Sequence, residues 1–218
     1  MIKISVSTLD AFHKYINDHE KKNQEPIYPD AQSFLDYLTR DFVPSPDMQY
    51  GSAIDAIIEN PKKFWSDEHK EYIYKGIGIP KAYINRITPF FDYDFPFQVD
   101  GSVLYKIGNT EVLLTARVDQ LHGNEVVEFK TVWTGYSYHR YADSMQWKCY
   151  NVIFDTQRVR YVVADSRRAS GGAVTLKKVF QFYQDRSSEH QLEISSLLSQ
   201  LVDFLEQHNK LEDMRVAV

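Results

Sequence analysis

Val112-Leu-Leu-Thr-Ala-Arg-Val-Asp119-Gln-Leu-His-Gly-Asn-Glu125-Val-Val-Glu128-Phe-Lys130-Thr131 reads as two β-rich runs joined by Gly123-Asn124, a two-residue hairpin signal. With that turn, His122 pairs with Glu125, and the register sets Asp119 opposite Glu128. Cross-strand partners share a face, and strand alternation adds Lys130 two residues beyond Glu128. The hairpin alone would converge an Asp, a Glu and a Lys. A one-residue slip would send Glu128 to the opposite face, so everything built on this trio depends on the register.

Working outward, a strand-like run over Phe97–Ile107 precedes the hairpin, and a helix over about Arg140–Phe154 follows it. Strands at Val159–Ala164 and Ala173–Tyr183 come next. Ser187–Asn209 carries Ile194, Leu197, Leu198, Leu201 and Leu205 at helical spacing and reads as an amphipathic helix. Upstream, a short helix over about Gly51–Asn60 stops at Pro61, and Pro46–Tyr50 reads as a loop. Residues 7–45 read as a helical lead-in interrupted by the polar stretch Lys21–Pro26. The order predicts an α/β fold with a central mixed sheet flanked by helices. Residues 1–218 are expected to form one domain, with a lead-in over 1–45, a core over 46–185 and a C-terminal helix over 186–218.

Composition narrows the function classes. The 218 residues carry 25 Lys+Arg against 30 Asp+Glu, a net charge of -5, so nucleic acid would have to meet a local patch rather than a basic coat. Cys149 is the single cysteine, which leaves no internal disulfide, no cysteine-based zinc site and no four-cysteine iron–sulfur cluster. No run reaches the ~18 apolar residues of a membrane span, and the first ten residues lack a secretory apolar core. A soluble cytoplasmic protein without membrane partners is expected. No Gly-rich phosphate loop followed by Lys-Ser/Thr is present, so nucleotide-driven chemistry is not supported.

Two adjacent carboxylates repel unless a cation sits between them, and oxygen ligands with open positions suit Mg²⁺ or Mn²⁺. A neighbouring Lys can orient or deprotonate a water, or stabilise charge on a phosphate. Those are the parts of metal-assisted phosphodiester hydrolysis. Glu-x-Lys also occurs at Glu20/Lys22 and Glu68/Lys70, so the triplet alone proves nothing, since an exposed strand often carries such a pair for solubility. Only Glu128/Lys130 lies in an apolar strand after an Asp-bearing one. Two more segments join it. Gln146 and Tyr150 stand at i and i+4, as do Asp55 and Glu59 beside the apolar stripe of Ile54, Ile57 and Ile58.

Taken in order, Gly51…Asp55…Glu59, Thr115-Ala-Arg-Val-Asp119, Glu128-Phe-Lys130 and Gln146…Tyr150 resemble the PD-(D/E)XK nuclease superfamily, in its RecB-like and exonuclease VIII-like branch. The resemblance covers about residues 50–154. It implies a restriction-endonuclease-like αβββαβ core and Mg²⁺- or Mn²⁺-dependent DNA hydrolysis. The mode it implies is an exonuclease on double-stranded ends, in recombination or repair, in a bacterium or its phage. By position it makes Asp119, Glu128 and the Phe129 carbonyl metal ligands, and Lys130 the group that positions or activates water. Gln146 and Tyr150 would orient the phosphate backbone. Asp55 stands where relatives often carry His, and it could hold a second metal with Glu59. Ala116 stands where a Gly is usual. An annealing protein as partner and ring-shaped oligomers are further family traits.

Lys62, Lys63, Arg117, His139, Arg140, Lys148, Arg167 and Arg168 are candidate DNA contacts, for which solvated surface charge is the alternative. Tyr136, Tyr138 and Tyr141 around His139 and Arg140 suit either a frayed DNA end or a packed aromatic cluster. Two other functions remain open at this stage: a non-catalytic DNA-binding or interaction module on the same scaffold, and a structure-specific or restriction-type endonuclease.

Overall fold

The computed structural model describes residues 1–17, 26–39, 43–133, 135–169 and 172–215. From the N-terminus, β1 (Ile2–Ser5) leads into α1 (Val6–Asn17), and α2 (Ala31–Thr39) follows. Next come α3 (Pro46–Glu59), the single turn α4 (Pro61–Phe64), and a small antiparallel sheet of β2 (Trp65–Ser66), β3 (Glu71–Tyr74) and β4 (Ile77–Pro80). Helix α5 (Lys81–Asn85) leads to the long strands β5 (Phe97–Ile107), β6 (Thr110–His122) and β7 (Glu125–Val132). The chain continues through α6 (His139–Ala142), α7 (Gln146–Ile153), β8 (Arg158–Arg168), β9 (Val174–Asp185) and α8 (His190–Gln207).

The main sheet has six strands in the order β1-β6-β7-β8-β9, with β5 also paired to β6. It is mixed: β1 runs parallel to β6 and β7 parallel to β8, while β5–β6, β6–β7 and β8–β9 are antiparallel. The parallel β7–β8 pair needs a crossover, and α6 and α7 supply it. Both faces of the centre are covered, so Val126, Val127, Val162, Val163 and Ala164 are all fully buried. On one face α1, α7 and α8 pack around Val118, Leu198 and Leu201; on the other α3, α5 and the small sheet pack around Ile57, Ile84 and Phe129. The α/β expectation with a mixed sheet between helices is met.

One topological detail creates the site. Residues 112–115 of β6 pair with both β1 and β5, and Gln120 pairs with both β7 and β5, so β1 and β7 share the edge of β6 opposite β5. There β1 ends at Ser5↔Thr115, and β7 begins at Gln120↔Val127. Residues 116–119 of β6 are left with a strand on one side only. This opening ends at Asp119.

The structure corrects several boundaries. Helix α3 starts at Pro46, not near Gly51, because Ser45 caps it by accepting from the Met48 amide and Pro46 takes the first turn. The helix expected over Arg140–Phe154 is broken into α6 and α7. Asp10 of α1, 135 residues away, accepts from the Met145 amide (2.7 Å) and the Ser144 hydroxyl (2.8 Å), and so caps α7 across the fold. Before the helical lead-in stands a strand, β1, too short to show a period. The small sheet lies in a stretch the sequence left unassigned. Of the polar interruption, Lys21–Glu25 falls outside the described residues. Among the described residues no helix is long and apolar enough to cross a membrane.

Candidate active site

The hairpin adopts the expected register, with His122↔Glu125, Leu121↔Val126 and Gln120↔Val127 as partners. The ladder stops one pair short of Asp119 and Glu128. There the Asp119 carboxylate replaces the backbone, its Oδ2 accepting from the Phe129 amide at 2.7 Å. Glu128 is 3% exposed, and its Oε1 accepts from Lys130 Nζ at 2.5 Å and from the Tyr150 hydroxyl at 3.4 Å. Its other oxygen, Oε2, is buried without a hydrogen-bond partner among the described residues. Helix α3 places Asp55 close enough for its charge to interact with Asp119, Lys130 and Glu128. Four of the residues singled out in sequence therefore meet at the opening, with Tyr150 behind them.

A fifth contact was not legible. Gln98 of β5 has φ +51, in the left-handed region, between the regular pairs Phe97↔Gln120 and Val99↔Val118. It sits opposite Asp119, and its Nε2 donates to Asp119 Oδ1 at 3.4 Å. A non-glycine residue held this way costs roughly 1–2 kcal/mol, which the surrounding sheet must offset. Phe97-Gln98-Val99 reads as plain strand, so no local signal announces it.

The electrostatics of the cluster are those of a site short of positive charge. Burial, then Asp119, raises the Glu128 carboxyl to about 7. Burial also raises Asp119, against the pull of Lys130, the Phe129 amide and Gln98. Asp55 is pushed well above the usual carboxylate range by burial and then by Asp119, with Lys130 opposing. Burial works against the Lys130 charge, yet Glu128, Tyr150 and Asp119 together lift it well above an ordinary lysine. Lys130 is thus a firmly held ammonium. Asp55 and Asp119 are only half-buried, so protein walls desolvate them while one side stays open.

Three carboxylates around one ammonium fit a divalent cation, since oxygen donors with a net negative charge suit Mg²⁺ or Mn²⁺. The orphaned Glu128 Oε2 is the acceptor such an ion would satisfy. No three His, Cys, Asp or Glu side chains among the described residues are arranged as a ready-made cage. Asp119 and Glu128 are instead turned to the Phe129 amide and to Lys130.

The remaining candidates lie at varied places. Gln146 is half-buried one turn before Tyr150 on α7. Glu59 is exposed, and its charge is felt at Arg117. Arg117 is exposed beside the opening and forms a two-pronged pair with Asp100, both contacts 2.8 Å. Lys62 and Lys63 are exposed on α4, Lys63 over the Phe64 ring. Lys148 turns away to Glu193 of α8. Arg168 pairs with Asp47 at the start of α3, and Arg167 is exposed. His139 and Arg140 are exposed on α6. Of the tyrosines beside them, Tyr136 stacks on Phe180 at 4.3 Å and Tyr141 packs against Tyr161, as a packed cluster would. Cys149 is buried, and burial pushes its thiol far above the reactive range.

Comparison with solved structures agrees with this architecture. The crystal structure of SSO0001 superposes with a TM-score of 0.51 at 13% identity, over 93% of this chain and 76% of that one. The likeness is one of fold. An alkaline exonuclease from Laribacter hongkongensis, LHK-Exo, superposes at 0.46 with 14% identity, covering 98% of this chain and 95% of that one. Its complex with dAMP gives 0.49 and 14%, covering 94% and 89%. No family model matches the chain, and no curated protein sequence does. What the site does has to come from its own residues.

Proposed function

We propose that the protein is a nuclease hydrolysing phosphodiester bonds in DNA, with Mg²⁺ or Mn²⁺ held by Asp119 and Glu128. The Phe129 carbonyl and Asp55 complete the donor set; Glu59, which acts on Arg117, is left out. A divalent cation bound there would lower the pKa of a water and neutralise charge on the phosphate. The single observation that carries the reading is the meeting of Asp119, Glu128, Lys130 and Asp55 at a gap in the sheet, with one carboxylate oxygen unsatisfied.

The protein's own groups divide the work. Lys130, as an ammonium, donates to the attacking water or to a phosphate oxygen and stabilises the charge that builds there. Tyr150 and the Phe129 amide hold Glu128 and Asp119 in place. The favoured mode is an exonuclease acting in recombination or repair. End-labelled linear DNA and closed-circular DNA are each incubated with Mg²⁺, with Mn²⁺ and with chelator, using wild type and Lys130→Ala. Cleavage of linear DNA alone, lost in chelator and in the variant, is the expected result. Cutting of circles would move the reading to an endonuclease. Lys130→Ala cutting at the wild-type rate would remove Lys130 from the chemistry.

A further inference from the structure

The gap between β1 and β7 opens into a cavity of about 660 Å³, within the range of ligand sites. Its floor is set by register. Lys3 and Leu113, Ser5 and Thr115, Thr115 and Ser102, and Arg117 and Asp100 are strand partners, so all of them share one face of β1, β6 and β5. Among the described residues that face is open at Leu104, the partner of Leu113, which is 55% exposed. Tyr150 also lines the cavity, although α7 packs on the opposite face. The cavity therefore passes from the open face through the gap to Tyr150, the residue whose hydroxyl bonds Glu128.

We infer that this cavity receives the sugar-phosphate backbone of the strand being cut, next to the bond at Asp119. The inference rests on the nuclease reading and adds the strand's path. The chemistry of the lining supports it. Exposed hydroxyls of Ser7 and Ser102 can donate to phosphate oxygens, and the two cations present are Lys3 and Arg117. Arg117 is already held by Asp100, which leaves Lys3, at the outer wall, as the principal electrostatic anchor. No Asn or Gln lines the cavity among the described residues, and the Arg117 and Asp100 side chains are engaged with each other, so contact would run to the backbone rather than to base edges. The N-terminal strand thereby gains a role: it forms the wall of the strand path as well as an edge of the sheet.

The test uses Lys3→Ala, Ser102→Trp, which fills the cavity from an exposed strand position, and Lys106→Ala as a control on β5 outside the lining. Steady-state cleavage and metal-free anisotropy on a labelled oligonucleotide over a salt series are measured for each. Lys3→Ala should raise KM and weaken binding roughly three- to tenfold with kcat unchanged, and lower the salt slope by about one. Ser102→Trp should raise KM at least as much, and Lys106→Ala should match wild type. Lys3→Ala and Ser102→Trp both behaving like Lys106→Ala, while wild type cuts, would overturn the strand path and leave the nuclease reading standing. A wild type that cuts nothing with Mg²⁺ or Mn²⁺ would sink that reading instead, and the anisotropy series alone would then decide whether the cavity binds the strand.

Discussion

Glu128 offers the most direct check on the electrostatics of the cluster. Folded, it keeps its proton up to about pH 7, whereas an ordinary glutamate releases it near 4.5; burial is the main cause and Asp119 the second. Between those values the folded metal-free protein binds more protons than the unfolded chain, so stability falls as pH rises through the window. At about 1.4 kcal/mol per tenfold change in proton affinity, the full loss is about 3 kcal/mol, absent well below pH 4.5 and complete above pH 7. Asp55 and Asp119 are shifted in the same direction and steepen the slope. Lys130, raised, stays charged across the whole window and contributes a constant. Glu128→Gln keeps the side-chain shape but cannot titrate. Urea unfolding in chelator at pH 5, 6, 7 and 8 should show the stability of wild type relative to the variant dropping by roughly 2.5 kcal/mol from pH 5 to pH 8. Saturating Mg²⁺ at pH 8 should stabilise wild type more than the variant. A difference that stays flat, or grows in favour of wild type as pH rises, would refute the idea that burial and Asp119 outweigh Lys130 in setting the Glu128 proton affinity.

Three further expectations follow from single contacts. Gln98→Gly should relieve the left-handed strain and raise stability by about 1 kcal/mol in urea unfolding, while cutting slows because Asp119 Oδ1 loses the Gln98 donor and keeps only the Phe129 amide on Oδ2; unchanged stability and cutting would deny both effects. Asp10→Ala removes the buried acid that caps α7 and pairs with Lys14, and should cost roughly 2–4 kcal/mol, with the loss of near-ultraviolet signal reporting loosened packing around Trp147. Gly101→Ala places a Cβ 2.6 Å from a Phe154 ring carbon and 2.8 Å from an Ile153 methyl, so melting should reveal a loss of about 1–3 kcal/mol.

The hairpin and its consequences were legible because they are local. Gly123-Asn124 fixes the turn, the turn fixes the register, and alternation then puts Glu128 and Lys130 on one side. Helix α8 was legible for the same reason, since Leu197, Leu198, Leu201 and Leu205 recur with the helical period and are buried. Asp55 was found through its spacing within a helix, which cannot say that the helix would cross the sheet at Asp119. The start of α3 was misread although Ser45-Pro46 is a good opening signal, because the polar residues that follow hide the period.

What the chain determined by itself is which side chains share a face within each element. Packing alone decided which elements meet: β1 and β7 dividing one edge of β6, Asp10 capping a helix far along the chain, and Gln98 bent into a left-handed conformation beneath Asp119. Periodicity repeats every few residues and is written into short stretches of sequence. A gap between two strands, and the charge imbalance gathered at it, exists only once segments more than a hundred residues apart compete for the same edge and the same low-dielectric interior.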